Sequence, residues 1–368
     1  MMARTTIVGF ALLLAAGCSP KAMTFLQPPE PPIVWPLPPD APRVRYVGEL
    51  TGEADLGRAK SFGQVWDEIL YGPTPPARIV TPHAVAVDAA GEKVAVADVN
   101  GKCVHVFDLA ARKYERLVQV GPSAGAQGAP ASPSAASEPP ASAPADELRF
   151  DRTMLESPVA VCWAGDRLWV ADSRQGAVAV FEPGGTARWI TCDRLKRPAG
   201  LAYCPANQLC YVSDAANHRL LAFDTRGSLV VEFGTRGGGP GQFNAPTHIA
   251  CGPDGMLAVS DSLNFRVQTL RLDGSPIGAF GRKGDAAGDL ALPKGVAFDA
   301  AGRIWVVDAQ FENVQAFTPE GQLLMSFGKE GHKPGEFWLP AGLCIDAKSR
   351  MWVADRENGR VQVFLLLP

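Results

Sequence analysis

Six stretches of the chain repeat one alternation of apolar with small or polar positions. Each opens on a proline, runs through a short apolar strand, turns, and enters a second apolar strand that ends in aspartate. A polar turn and a third strand follow. The stretches read PHAVAVDAAGEKVAVADVNGKCVHVF from Pro82, PVAVCWAGDRLWVADSRQGAVAVF from Pro158 and PAGLAYCPANQLCYVSDAANHRLLAF from Pro198. The others are PTHIACGPDGMLAVSDSLNFRVQTL from Pro246, PKGVAFDAAGRIWVVDAQFENVQAF from Pro293 and PAGLCIDAKSRMWVADRENGRVQVF from Pro340. Their β-branched and aromatic content predicts buried strands.

The repeated aspartates are Asp98, Asp172, Asp214, Asp261, Asp308 and Asp355, spaced by 74, 42, 47, 47 and 47 residues. The long first spacing contains the low-complexity segment 122–146, which has almost no large apolar groups and reads as a disordered insertion. Removing about 27 residues restores the period. Between repeats lie a fourth strand and a glycine loop, as in VVEFGTRGGGPGQFNAP, GAFGRKGDAAGDLALP and MSFGKEGHKPGEFWLP. Four strands per 47 residues predict propeller blades, so the fold class is all-β, a six-bladed β-propeller over 43–368.

The motif resembles that of NHL-repeat proteins across roughly residues 80 to 368: proline-x-glycine, aromatic-valine-alanine-aspartate, then asparagine-x-arginine-valine. Repeats one and two depart from it, with Lys102 and Ala177 where arginine is usual. The last repeat stops after its third strand. VRYVGELTGEADLG (44–57) resembles the missing fourth, so 43–57 is expected to close the ring and leave no free edge. Phe62, Val65, Trp66, Ile69 and Leu70 fall on one face of a helix over 58–71. It is expected to pack on a propeller face or to dock a partner.

The chain's start changes the picture of where it works. Arg4, an apolar run Ile7–Ala16, and Ala15-Ala16-Gly17-Cys18 read as a signal peptide over 1–17. The run is too short to span a bilayer. Small residues before a cysteine resemble the lipobox of bacterial lipoproteins, which implies that Cys18 carries lipid. Ser19 in place of aspartate implies the outer membrane of a Gram-negative envelope. Residues 18–42 are proline-rich and read as an extended stalk. Net charge is −3, so no global field favours nucleic acid, and export argues against it too.

Candidate chemistry is sparse. The six aspartates read as turn-closing groups that accept backbone N–H bonds. Arg219, Arg266 and Arg360 follow theirs by five residues and are expected to bond between blades. Eight cysteines include no C-x-x-C pair, so no metal is expected. Cys204 and Cys210 flank a hairpin and are a possible disulfide. His83 and His248 stand near the channel on blades one and four. NHL-type amidating lyases hold zinc with three histidines from such positions; here there are two, on opposed blades, expected to be too far apart to share an ion. Arg236, Arg282, Lys283, Lys329, His332 and Lys333 lie in equivalent inter-blade loops and form a possible basic binding arc. The resulting expectation is a lipid-anchored, non-catalytic platform for a protein, peptide or glycan of the envelope, with no cofactor. The alternative is a metal-assisted lyase or lactonase of the NHL or gluconolactonase-like kind.

Overall fold

Each repeat folds as an antiparallel sheet because its apolar runs are short, rich in β-branched residues and joined by turns that tolerate left-handed backbone. The computed structural model describes residues 25–57, 66, 70–73, 75–121 and 153–368. Four-stranded sheets occupy 82–117, 158–190, 198–233, 246–280 and 293–327, blades one to five. The first strands of successive blades touch in cyclic order, and Pro340–Ile345 of blade six touches Pro82–Val87 of blade one. The six sheets therefore close a ring around a channel.

Blade six is completed from the other end of the chain. Strand β1 (Val34–Trp35) pairs with β2 (Val44–Leu50), and β2 pairs antiparallel with Arg360–Leu366, from Val44↔Leu366 to Leu50↔Val361. That pairing leaves the last strand no free edge.

Apolar side chains fill the boundaries between blades. Trp169 and Phe223 pack between blades two and three, and Tyr211 and Phe243 between three and four. Phe280 and Phe317 pack, tilted, between four and five; Trp305, Phe327 and Phe364 pack between five and six. Trp352 and Phe107 join six to one. Blade one carries Ala95 where most blades have a large aromatic, and its boundary with blade two is built from buried Leu168, Phe181 and smaller groups, with half-buried Trp163 and Trp189 packed against them. Each fully buried large side chain contributes roughly 1.5–3 kcal/mol, so the ring is held mainly by its six seams.

The aspartate ending each second strand is fully buried. Asp98 accepts the N–H groups of Val80, Thr81 and Gly101, and Asp308 those of Ala291, Leu292, Gln310 and Phe311. Asp172, Asp214, Asp261 and Asp355 do the same for the residues before their own prolines. Each carboxylate thus ties its own turn to the loop arriving from the previous blade. Arg266 donates to the carbonyls of Gly238, Gly239 and Gln242, and Arg360 to those of Lys333 and Glu336, which makes the inter-blade bonds.

One expectation changes, and others fall largely or wholly outside the described residues. Residues 25–42 do not project as a free stalk. Phe25 is buried against Trp352, and Trp35 packs on Phe327 and Phe364. The aromatic residues between the prolines have apolar surface to hide, and the ring's outer edge offers the place. The helix expected over 58–71 lies largely outside the described residues; Trp66, Leu70 and Tyr71 are helical and exposed. The insertion 122–146 and the signal segment 1–17 with Cys18 also lie outside them.

Gly48 permits the Phe25 strap, because a Cβ there would overlap the Phe25 carbonyl oxygen. Gly48→Val is expected to lift the strap and cost on the order of 2 kcal/mol by uncovering Phe25 and Leu50. Chemical denaturation reads the loss, and limited proteolysis should cut within 25–42 in the variant alone. Equal stability and equal resistance would show that the strap is not anchored there.

Candidate functional site

The residue after each repeat proline faces the channel, because the proline begins the innermost strand and the buried aspartate fixes the chain just before it. His83, Val159, Ala199, Thr247 and Lys294 hold this position in blades one to five. They line a cavity of about 330 Å³ at the channel mouth. Ser173, Ala215, Ser262 and Leu263 come to it from the second turns, and Arg197, Ala245 and Leu292 from the residues before the prolines. Among the described residues, no carboxylate lines it.

His248 stands one residue further along, where other blades carry Gly200, Gly295, Gly342, Ala84 or Ala160. A Cβ at those glycines would collide with the backbone of the next blade. His248 and His83 lie with ring centroids 5.7 Å apart and planes 15° from parallel. The channel is therefore narrower than expected, and the two opposed histidines stack. His83 Nδ1 is 2.7 Å from the Val159 carbonyl oxygen, while neither nitrogen of buried His248 has a partner among the described residues. Burial, then the nearby Lys294 ammonium, pushes His83 down to about 4. Burial, then His83 and Lys294, holds His248 well below the ordinary histidine range. Burial and Arg356 lower Lys294 too. At neutral pH the mouth presents two uncharged imidazoles beside two basic side chains. Among the described residues, no third metal-binding side chain joins the histidine pair.

The basic arc is largely answered by the protein's own groups. Arg282 pairs with Asp289 at 2.8 Å and Lys329 with Glu336 at 3.4 Å. Lys283 sits over the Phe265 ring, and His332 contacts Asn358 and packs edge-on against Trp338. The Lys333 backbone N–H donates to Glu336, and Arg236 is exposed. The six residues therefore do not form one unopposed positive surface. The same face exposes apolar side chains instead: Val80, Leu263, Trp338 and Leu339.

The possible Cys204–Cys210 disulfide does not form. In the hairpin register Cys204 faces Leu209 and Tyr203 faces Cys210, so the two thiols fall on opposite faces of the sheet. Cys204 is bonded instead to Cys251, one repeat later on blade four, with Cα atoms 5.5 Å apart. Cys210 turns the other way, into the seam with Cys162 of blade two.

The register also corrects repeat one. Asp98 pairs with Cys103, as Asp261 pairs with Arg266 and Asp355 with Arg360. Cys103, not Lys102, holds the arginine position; Lys102 is the left-handed turn residue before it, at φ 48°. Asp98, Cys103 and His105 then form a buried cluster, with one ligand atom of each within 4.8 Å of the others. Sequence reasoning missed it because the six aspartates were read together as structural.

Residues 337–364 match the NHL repeat family model. Among solved structures, virginiamycin B lyase from Staphylococcus aureus is 14% identical with a TM-score of 0.53, covering 78% of this chain and 96% of that one. A structural genomics protein of unknown function from Bacteroides thetaiotaomicron is 13% identical with a TM-score of 0.54, covering 79% and 70%. A structure of the nidogen/laminin complex gives 13% identity and a TM-score of 0.51, covering 76% and 89%. No curated protein sequence matches. At these identities the structural likeness establishes the propeller fold alone.

The channel histidines carry a pH signature. A histidine held below 6.5 in the fold contributes stability that is present above pH 6.5 and lost as the pH falls towards about 4. Thermal melts of the wild type should drop through that window, and those of a His83→Gln/His248→Gln double variant should drop less. Parallel curves would mean that both imidazoles titrate normally.

Proposed function

We propose that this NHL-repeat β-propeller is an envelope-anchored, non-catalytic binding platform that takes its ligand at the channel mouth. The observation that carries the reading is the composition of the mouth. Lys294 and Arg197 line a cavity without a carboxylate, on a face that exposes Val80, Leu263, Trp338 and Leu339. Such a surface suits a ligand, protein or peptide included, that has an apolar body and one anionic group. The half-buried Lys294 ammonium and the exposed Arg197 guanidinium favour the anion, and apolar rims contribute area. The nidogen structure is of a complex with laminin, so a propeller of this shape does serve as a partner-binding protein elsewhere.

A second reading follows from His248. An uncharged imidazole with both nitrogens unpartnered beside a cavity is chemically competent as a base. One solved virginiamycin B lyase is a catalytically inactive histidine-to-alanine variant with quinupristin. That favours a lyase-like enzyme as the alternative, metal-assisted or not.

A panel of N-acyl amino acids and their matched amides separates the two. The carboxylates are expected to raise the melting temperature, the amides are not, and Lys294→Ala should abolish the effect. Equal responses to acid and amide would overturn the anion reading. Breakdown of the bound compound, lost in His248→Ala, would transfer the site to the enzyme reading.

The anchor rests on Cys18 and the apolar run before it. Replacing it, Cys18→Ser, should move the protein from the membrane to the soluble fraction of fractionated cells. Unchanged membrane retention would remove the lipoprotein part of the proposal.

A further inference from the structure

Blades four and six neutralise their buried aspartates in one way. Arg266 Nε lies 2.9 Å from Asp261 Oδ2, and Gln268 Nε2 lies 3.2 Å from the same oxygen. In blade six, Arg360 Nε and Gln362 Nε2 approach Asp355 Oδ2 at 2.8 and 2.9 Å. Blade one keeps the aspartate and changes both partners. Cys103 stands at the arginine position and His105 at the glutamine position. Asp98 is fully buried and has no guanidinium or ammonium against it among the described residues.

We propose that Asp98, Cys103 and His105 form a zinc site in blade one. The donors converge: His105 Nε2 is 3.1 Å from Asp98 Oδ2 and 3.4 Å from Cys103 Sγ. Those separations suit one ion bound at roughly 2.0–2.3 Å to nitrogen, oxygen and sulfur. Nitrogen, thiolate and carboxylate donors together suit zinc, a borderline-soft cation. His105 Nδ1 lies 2.8 Å from the Tyr114 hydroxyl. With Nδ1–H donated there, Nε2 presents its lone pair to the cluster, as an outer-shell partner should arrange. The charges also close, since one thiolate and one carboxylate cancel the ion's two positive charges.

Without metal, the same place is taken by a proton. Burial alone would lower His105, but its bonds to Asp98 and Cys103 win and raise it to about 9. On binding, the Cys103 thiol and the protonated His105 each release one proton to water. Zn–S and Zn–N bonds form, and Asp98 Oδ2 exchanges the Nε2–H bond for the metal. Protons compete with the ion for these ligands, so affinity must fall as pH drops. The fourth position, which no described residue fills, would take a water molecule. The expectation of no metal rested on the lack of C-x-x-C, a criterion that a Cys-x-His pair opposite an aspartate escapes.

The test uses the purified full chain, stripped with chelator and titrated with zinc. About one ion per chain is expected, bound more weakly at pH 6 than at pH 8. Cobalt in its place should give a thiolate charge-transfer band that Cys103→Ser removes. The double variant Cys103→Arg/His105→Gln rebuilds the arrangement of blades four and six, so it should fold and bind no zinc. His105→Gln alone serves if it does not fold. A His83→Gln/His248→Gln variant should keep the ion. No stoichiometric zinc in the wild type, or zinc lost with the channel histidines and kept without Cys103, would overturn the assignment.

Discussion

A carboxylate buried at the end of each second strand is the constraint on which the ring depends. A charge with no exposure is costly unless hydrogen bonds surround it. The donors common to all six are backbone N–H groups of the loop delivering the chain from the previous blade. Satisfying Asp98, Asp172 or Asp308 therefore places the residues just before Pro82, Pro158 and Pro293. The proline starts the innermost strand, so the carboxylate also sets which side chain reaches the channel. Seams of Trp, Tyr and Phe then fix neighbouring blades against each other. What varies on this frame is the residue after each proline and the two positions that partner the aspartate.

The frame was legible because one local requirement recurs six times. A proline, an aspartate and the turn between them recur every 42 to 47 residues once the insertion is set aside, whatever the seam residues are, and the orphaned VRYVGEL could be matched to the strand that blade six lacks. Details that depend on a shift of one residue were not legible. Lys102 looked like a substitute for arginine because it too is a cation, but its left-handed backbone places it in the turn and puts Cys103 at the partner position. The Cys204 and Cys210 pairing failed on the same kind of count, since strand alternation separates thiols that sequence proximity suggests joining. In the proline-rich segment, composition concealed two aromatic anchors, Phe25 and Trp35.

The channel site was half legible. Repeat position identified His83 and His248 as channel residues, and their blades as opposed. It carried no information on the channel's width at that depth. Gly200, Gly295 and Gly342 draw the inner strands together, since no larger group fits against the next blade there. That close approach lets two imidazoles from opposite sides meet at 5.7 Å. The basic arc shows the reverse error. The loops do lie on one face, but Asp289 and Glu336 come with them and answer Arg282 and Lys329.

The contrast between the histidines shows what the fold does with one side chain. His105 and His248 are both buried, and burial by itself lowers both. Their neighbours decide the outcome. Asp98 and Cys103 oppose the burial effect and hold His105 up to about 9, whereas Lys294 adds to it at the channel. The protonated His105 contributes stability that is complete below pH 6.5 and is lost as pH rises through about 9. The channel pair contributes stability that is lost on the acid side. One propeller therefore holds an imidazole that retains its proton where a carboxylate must be neutralised, and two that refuse it where a cation is already present. With the pair neutral, Lys294 and Arg197 are the cationic side chains that line the mouth among the described residues.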